Sequence, residues 1–210
     1  MAKQWNLAGR VRLEVADLFD SLSKGQLETP SLCEDWTVRD VLGHATMFVE
    51  VPLPKFMFQI AKAGFNYDQM ADRVAKQLAE RPVDELTGAL RAKATKAAAM
   101  LMFPEAMTVA DLTIHLQDVR RPLGVEAQAD PDALTATLDF LTGHKMAKNI
   151  FDPAVIEGLQ FEATDRDWRS GEGPVVTGAA EALMMGMAGR PVLDELDGPG
   201  LETLRARVAA

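Results

Sequence analysis

Apolar residues recur with the spacing of an α-helix from residue 8 to about residue 150, which restricts most of the chain to helical structure. A segment rich in Ala, Lys, Leu, Glu and Arg, from Tyr67 to Met102, predicts one or two helices with a break at Pro82. A further helix is predicted from about Pro131 to Asn149. One side of the first predicted helix contains most of the apolar residues Val11, Leu13, Val15, Leu18, Phe19 and Leu22.

The clearest helix start lies in the sequence TVRD. Thr37 is a good N-cap residue, and Asp40 stands three residues later, as in a capping box completed by a carboxylate. We therefore expect a helix that begins at Val38 and runs toward Pro52, with His44 nearly two turns inside it.

The sequence MTVAD repeats this start signal, with Thr108 as the N-cap and Asp111 three residues later. It predicts a helix that reaches Arg121, because Pro122 and Gly124 are expected to stop it. In this interpretation Asp111 lies in the first turn.

The character of the sequence changes after Pro153. The segment GLQFEATDRDW alternates as a strand does, GEGPVVTG contains a short β-branched run between glycines, and AAEALMMGMAGR is again helical. The sequence thus predicts a mainly α protein with a helical domain over residues 1–152 and a small α+β segment over residues 153–210.

Charge and cysteine content exclude several classes of partner. The formal charge is −9 and the pI is near 4.9, which argues against a nucleic-acid partner because such binding depends on clustered Lys and Arg. No stretch of about 18 apolar residues is available to span a membrane. Cys33 is the single cysteine, so an internal disulfide is excluded and a reducing cytoplasm is expected. Cys33 itself is predicted to be a small buried residue.

The segment DLTIHLQDVRR places three potential metal ligands on one face of its predicted helix. Asp111, His115 and Asp118 lie within about 60° of one another at 100° per residue. The apolar stripe of the same helix points about a third of a turn away. Two hypotheses fit this pattern: the solvated face of an ordinary surface helix, or a metal site.

His44 favours the metal site, although a hydrogen-bonded interior histidine is the alternative. One imidazole from an earlier helix and an Asp-x-x-x-His pair from a later one provide the nitrogen and oxygen ligands that zinc accepts, with a fourth position for water or substrate. Asp118 has three candidate roles: a ligand, a partner that fixes the tautomer of an imidazole, or a salt-bridge partner of an arginine.

Three motifs together resemble the mycothiol-dependent maleylpyruvate isomerase family of the DinB-like superfamily. They are CEDWTVRDVLGHA, HLQDVRRPLG and the C-terminal segment GLQFEATDRDWRSGEGPVVTGAAEALMMGMAGRPVLDELDGPGLETLRAR. The resemblance implies a DinB-like four-helix bundle that holds a divalent metal, followed by a sterol-carrier-like C-terminal segment. His44 matches the first metal histidine, and Asp111 and His115 match a Glu-x-x-x-His pair, with an Asp where the family more often has Glu. Asp118 is the alternative carboxylate.

The resemblance also implies a chemistry. The metal is expected to be Zn²⁺, with Ni²⁺ as the alternative, and mycothiol, a small thiol of actinobacteria, is the expected co-substrate. A metal-bound thiol has a lowered pKa and can add to a small electrophile, which gives cis–trans isomerisation or thiol transfer. Arg120, Arg121 and Arg190 are candidates for binding a substrate carboxylate, although cations also occur at a helix C-terminus to complement its dipole.

Two functions of other classes remain open at this stage. A metal-dependent hydrolase would use the metal to activate water, with Asp118 as a general base. A non-enzymatic protein would only bind a small ligand in the same place. A homodimer is compatible with a helical bundle of this size.

Overall fold

The computed structural model describes residues 2–94, 104–126, 129–149 and 151–209. The described residues are mainly helical with one small sheet near the C-terminus, which confirms the predicted fold class. They divide into two compact units: Met1–Thr108 with Asp118–Glu126, and Val109–Gln117 with Ala127–Ala210. No helix in the described residues is long and apolar enough to cross a membrane. The domain boundary expected at residue 152 stays a prediction.

The first unit is helical and contains α1 (Ala2–Ser21), α2 (Lys24–Leu27), α3 (Val38–Glu50), α4 (Leu53–Lys62), α5 (Tyr67–Ala79) and α6 (Val83–Lys93). α3 packs extensively along α5, and α1 packs along α6. The C-terminal half of α3 belongs to an apolar cluster with α4 and α5, formed by Met47, Val51, Phe56, Ala63, Met70, Ala71 and Val74.

Several helix boundaries of this unit agree with the sequence. The predicted start of α3 is confirmed, because the side chain of Thr37 accepts from the backbone N–H of Asp40 and Asp40 reaches back to the N–H of Thr37. The segment from Tyr67 onward forms two helices, as expected, and its residues 95–102 lie outside the described residues. Leu13 is an exception on the apolar side expected for α1: it is 42% exposed, because it lies off the buried side of the helix.

The second unit contains the sheet. Strand β1 (Gln160–Ala163) lies in the centre, antiparallel to β2 (Arg169–Gly171) and parallel to β3 (Val175–Gly178). The predicted strands and the helix that follows them are confirmed. This unit also contains the helices α8 (Pro131–Gly143), α9 (Ala180–Met187) and α10 (Leu201–Val208). It includes the middle of one further helix, which both units share.

Helix α7 (Glu105–Leu123) supplies residues to both units, and its start differs from the prediction. Pro104 is the N-cap, so Thr108 lies inside the helix and does not cap it. The helix begins earlier than predicted because the negative charge of Glu105 is favourable at the positive end of the helix dipole. The Glu105 carboxylate also accepts a hydrogen bond from the N–H of Ala8 at 3.4 Å. The helix includes Pro122 and ends at Gly124, whose φ of 63° gives a left-handed cap.

Helix α8 is shorter than predicted. It ends at Gly143, and His144 adopts an extended backbone conformation as its C-cap. A separate short 3₁₀ helix then covers Ala147–Asn149. The imidazole of His144 stacks on Phe140 with ring centroids 4.9 Å apart, and its Nδ1 accepts from the N–H of Met146 at 3.1 Å.

Gly43 sets how closely α3 approaches α5. A Cβ atom at this position would lie 2.1 Å from the carbonyl oxygen of Ala75, which is far inside van der Waals contact. We predict that Gly43→Ala lowers the free energy of unfolding by about 1–3 kcal/mol, because the two helices must separate. Urea denaturation followed by circular dichroism measures this effect.

Gly88, in α6, is the matched control. A Cβ atom there meets nothing within 4 Å. Gly88→Ala is expected to raise the free energy of unfolding by about 0.5–1 kcal/mol, because alanine loses less backbone entropy in a helix. Equal changes in the two variants would contradict the close approach at Gly43.

Candidate metal centre

His44 is held inside the first unit by aromatic rings. Its side chain is 4% exposed. Its ring centroid lies 5.0 Å from that of Trp36 and 6.2 Å from that of Phe48, which meets it edge to face. Trp36 is fixed in turn by a hydrogen bond from its indole N–H to Asp72 at 3.0 Å. These contacts restrict the imidazole to few orientations and keep water away from it.

Asp111 and His115 lie in the middle of α7, one turn apart. Nε2 of His115 is 3.6 Å from Oδ1 of Asp111, and each side chain is only 12% exposed. The imidazole and the carboxylate therefore face the same point on the helix surface. A pair of this kind is a common arrangement for two ligands of one metal ion.

Asp118 continues the same face and is completely buried. Its Oδ2 accepts a hydrogen bond from the Cys33 thiol, with Sγ and Oδ2 3.0 Å apart. Its backbone carbonyl accepts from the N–H of Leu32 at 3.0 Å. The hypothesis that this stripe is a solvated helix face is therefore wrong, because Asp111, His115 and Asp118 are all largely or fully withdrawn from water.

Two groups among the described residues have the spacing that a metal ion requires. The first contains His44, Asp111 and His115, the ligands expected from the sequence. The second contains Cys33, His115 and Asp118. In each group, one ligand atom from every residue lies within 4.8 Å of the others. His115 belongs to both groups.

The three arginines lie outside these groups. Arg120 is buried, and its Nη2 donates to Glu14 at 2.8 Å, so it already serves an internal ion pair. Arg121 is partly exposed one residue further along α7. Nη1 of Arg190 donates to the carbonyl of Ala188 at 3.1 Å, after the end of α9. Their role in binding a substrate carboxylate stays a prediction.

Sequence reasoning missed the position of Cys33. It is partly exposed, where a buried residue was expected, and it contacts Asp118, a residue 85 positions away. The one local signal is its place in CEDW, directly before the helix that carries His44. Trp36, in the same run, was also missed as the ring that packs on that histidine.

Comparison with known proteins identifies related sequences and folds. Residues 9–107 match the family model described as the mycothiol maleylpyruvate isomerase N-terminal domain; this range includes His44 and ends before Asp111. No curated protein matches the sequence.

Two solved structures have a similar fold. One is a crystal structure of the mycothiol-dependent maleylpyruvate isomerase, with a TM-score of 0.57 and 15% identity over 94% of this chain and 92% of that chain. The other is a crystal structure of a histidine-to-alanine mutant of the mycothiol-dependent maleylpyruvate isomerase, with a TM-score of 0.61 and 14% identity over the same shares. At these identities the similarity shows the fold alone, and it agrees with a mainly helical protein that has a small C-terminal sheet.

The Trp36–Asp72 contact predicts an acid-sensitive step beside His44. A hydrogen bond from Lys76 is the main cause that lowers the pKa of Asp72, and the hydrogen bond from Trp36 adds to it. Because the pKa is lowered in the folded state, the stabilisation is present above the unfolded pKa of about 3.9 and is lost as the pH falls through the folded value. Asp72 is partly exposed, so the effect on stability should stay within about 1 kcal/mol.

The indole N–H resonance of Trp36, assigned from its loss in Trp36→Phe, measures this step during an acid titration. We expect a shift at acid pH in the wild type and in Asp68→Asn, a control on the same helix, and none in Asp72→Asn. A shift that persists unchanged in Asp72→Asn would mean that another group titrates beside Trp36.

Proposed function

We propose that this chain, whose residues 9–107 match the model of the mycothiol maleylpyruvate isomerase N-terminal domain, belongs to that family and is a thiol-dependent enzyme with a catalytic divalent metal. Its reaction is the isomerisation of a small electrophile, or the transfer of a thiol to it, with mycothiol as co-substrate. The observation that carries this proposal is the grouping of His44, Asp111 and His115.

The donor set of this group fits zinc. Two imidazole nitrogens and one carboxylate oxygen are ligands that zinc accepts, and three protein ligands leave a fourth position for a substrate. Ligand atoms of a tetrahedral zinc site with bonds of about 2.1 Å are separated by about 3.4 Å. The 3.6 Å between Nε2 of His115 and Oδ1 of Asp111 is close to this value, so the shorter Asp side chain is compatible with a ligand role. Nickel accepts the same donors.

The chain supplies orientation and exclusion of water in this proposal. A bound divalent ion lowers the pKa of a thiol that coordinates it, so that the thiolate forms near neutral pH. Trp36 and Phe48 hold the His44 ring in place. Burial of Asp111 and His115 limits the water that competes with the thiol for the metal. Asp118, one turn after His115, orients that imidazole or accepts a proton from the incoming thiol.

The reaction itself needs little further from the protein. The thiolate adds to an activated carbon–carbon double bond, the new single bond rotates, and expulsion of the same thiolate leaves the isomer. If a proton is taken up at the neighbouring carbon instead, the product is a stable thioether. Arg121, Arg190 or Arg120 is proposed to bind a carboxylate of the electrophile through charge-assisted hydrogen bonds.

Metal content tests the ligand set directly. We predict close to one divalent ion per wild-type chain after purification or reconstitution with zinc, and loss of this ion in His44→Ala, His115→Ala and Asp111→Ala. His144→Ala is the control, because that histidine stacks on Phe140 and belongs to neither ligand group. Asp118→Asn separates the two carboxylates: retained metal supports Asp111 as the ligand. A wild type that cannot be loaded with zinc or nickel would refute the site.

Thiol dependence tests the reaction class. With a cis-configured unsaturated acid such as maleylpyruvate, we expect turnover only when mycothiol and metal are both present, and none above the thiol's own rate for His44→Ala. Hydrolysis of esters or amides without any thiol would favour the hydrolase alternative. A melting temperature that rises with ligand in the absence of any turnover would favour a binding protein.

A further inference from the structure

The Cys33 sulfur is placed beside α7 by a tightly bonded loop. The N–H of Leu32 donates to the carbonyl of Asp118, and the N–H of Cys33 donates to Oγ of Ser31 at 3.1 Å. The N–H of Ser31 donates to the carbonyl of Trp36 at 2.9 Å, which closes the loop. The contact between Sγ of Cys33 and Oδ2 of Asp118 is therefore held by the backbone on both sides.

His115 stands three residues before Asp118 on the same helix, so both side chains lie on one face, one turn apart. A thiol, an imidazole and a carboxylate meet within 4.8 Å here. These are the three side-chain types that bind zinc most often, and the sulfur adds a soft donor that the His44 group lacks.

We propose that Cys33, His115 and Asp118 form a second cation position, selective for thiophilic divalent ions such as Cd²⁺. The inference goes beyond the proposed function and shares one ligand, His115, with it. Binding replaces the thiol proton by the ion: the S–H bond breaks, a metal–sulfur bond forms, and the proton leaves to solvent.

The geometry needs only a small adjustment. Bonds of about 2.3 Å to sulfur and 2.1 Å to oxygen, at a tetrahedral angle, separate the two ligand atoms by about 3.6 Å. Sγ and Oδ2 are 3.0 Å apart, so a modest rotation of the Cys33 side chain opens the space.

Sharing of His115 makes the two positions alternatives for one ion. A ring nitrogen donates its one lone pair to one ion at a time, so an ion bound to a nitrogen of His115 at one position withdraws that nitrogen from the other. The chemical softness of the ion then decides which position is filled, and a soft ion at Cys33 would inhibit the proposed thiol reaction by removing His115 from its other group.

The single cysteine makes the test specific, because a thiol reagent reports only on Cys33. Metal-free protein is mixed with one equivalent of Cd²⁺, and the rate of reaction with an aromatic disulfide reagent is measured. We expect Cd²⁺ to slow modification at least tenfold in the wild type and in His44→Ala. In Asp118→Asn and His115→Ala, we expect Cd²⁺ to slow modification only slightly. The ultraviolet absorbance of a cadmium–thiolate bond should appear in the wild type and be absent in Cys33→Ser.

The proposal would be overturned if Cd²⁺ gave no protection in the wild type. It would also be overturned if Asp118→Asn and His115→Ala were protected as strongly as the wild type, because sulfur would then bind the ion without this group. Circular dichroism of each variant confirms that it is folded before the comparison is made. His44→Ala separates the two proposals, since loss of zinc with retention of the cadmium signal supports both positions. Loss of the cadmium signal there would refute an independent second position.

Discussion

The structure depends on one helix that carries ionisable side chains on a buried face. Along α7, Asp111 and His115 are nearly withdrawn from water and Asp118 is fully withdrawn. Burial of charged groups costs several kcal/mol or more unless a partner or a cation compensates it, so a chain selected only for stability would place apolar residues here. The same helix has apolar neighbours, among them Leu112 and Leu116, that pack in the core. In the proposed metal centre, a bound cation compensates part of this cost.

His44 is presented by a helix whose position is fixed at two points. The capping box of Thr37 and Asp40 sets the first residue of α3, and the helix period then determines where His44 points. Gly43, the residue before it, lets α3 lie directly on the backbone of α5. The position of the imidazole therefore depends on close packing between the backbones of two helices.

Sulfur beside this centre changes what the protein can bind. Cys33 lies in the loop before α3, and its hydrogen bond to Asp118 joins that loop to the ligand face of α7. A nitrogen and oxygen set suits borderline ions, whereas a set that includes thiolate favours softer ones. Two overlapping sets that share His115 would give the site a sensitivity to thiophilic metals that a purely nitrogen and oxygen centre does not have.

Local patterns in the sequence determined the helical class, the start of α3 and the placement of three potential ligands on one face of α7, because capping and the 3.6-residue period act over a few positions. The same reasoning placed the start of α7 at Thr108, but the helix begins at Glu105. Pro104 occupies the N-cap position without a side-chain cap, and the N–H of Ala8, 97 residues away, donates to the Glu105 carboxylate. Burial of the polar face and the contact between Cys33 and Asp118 were decided by tertiary structure alone. Contacts across 85 residues depend on how separate helices pack, and no periodicity within one segment records them.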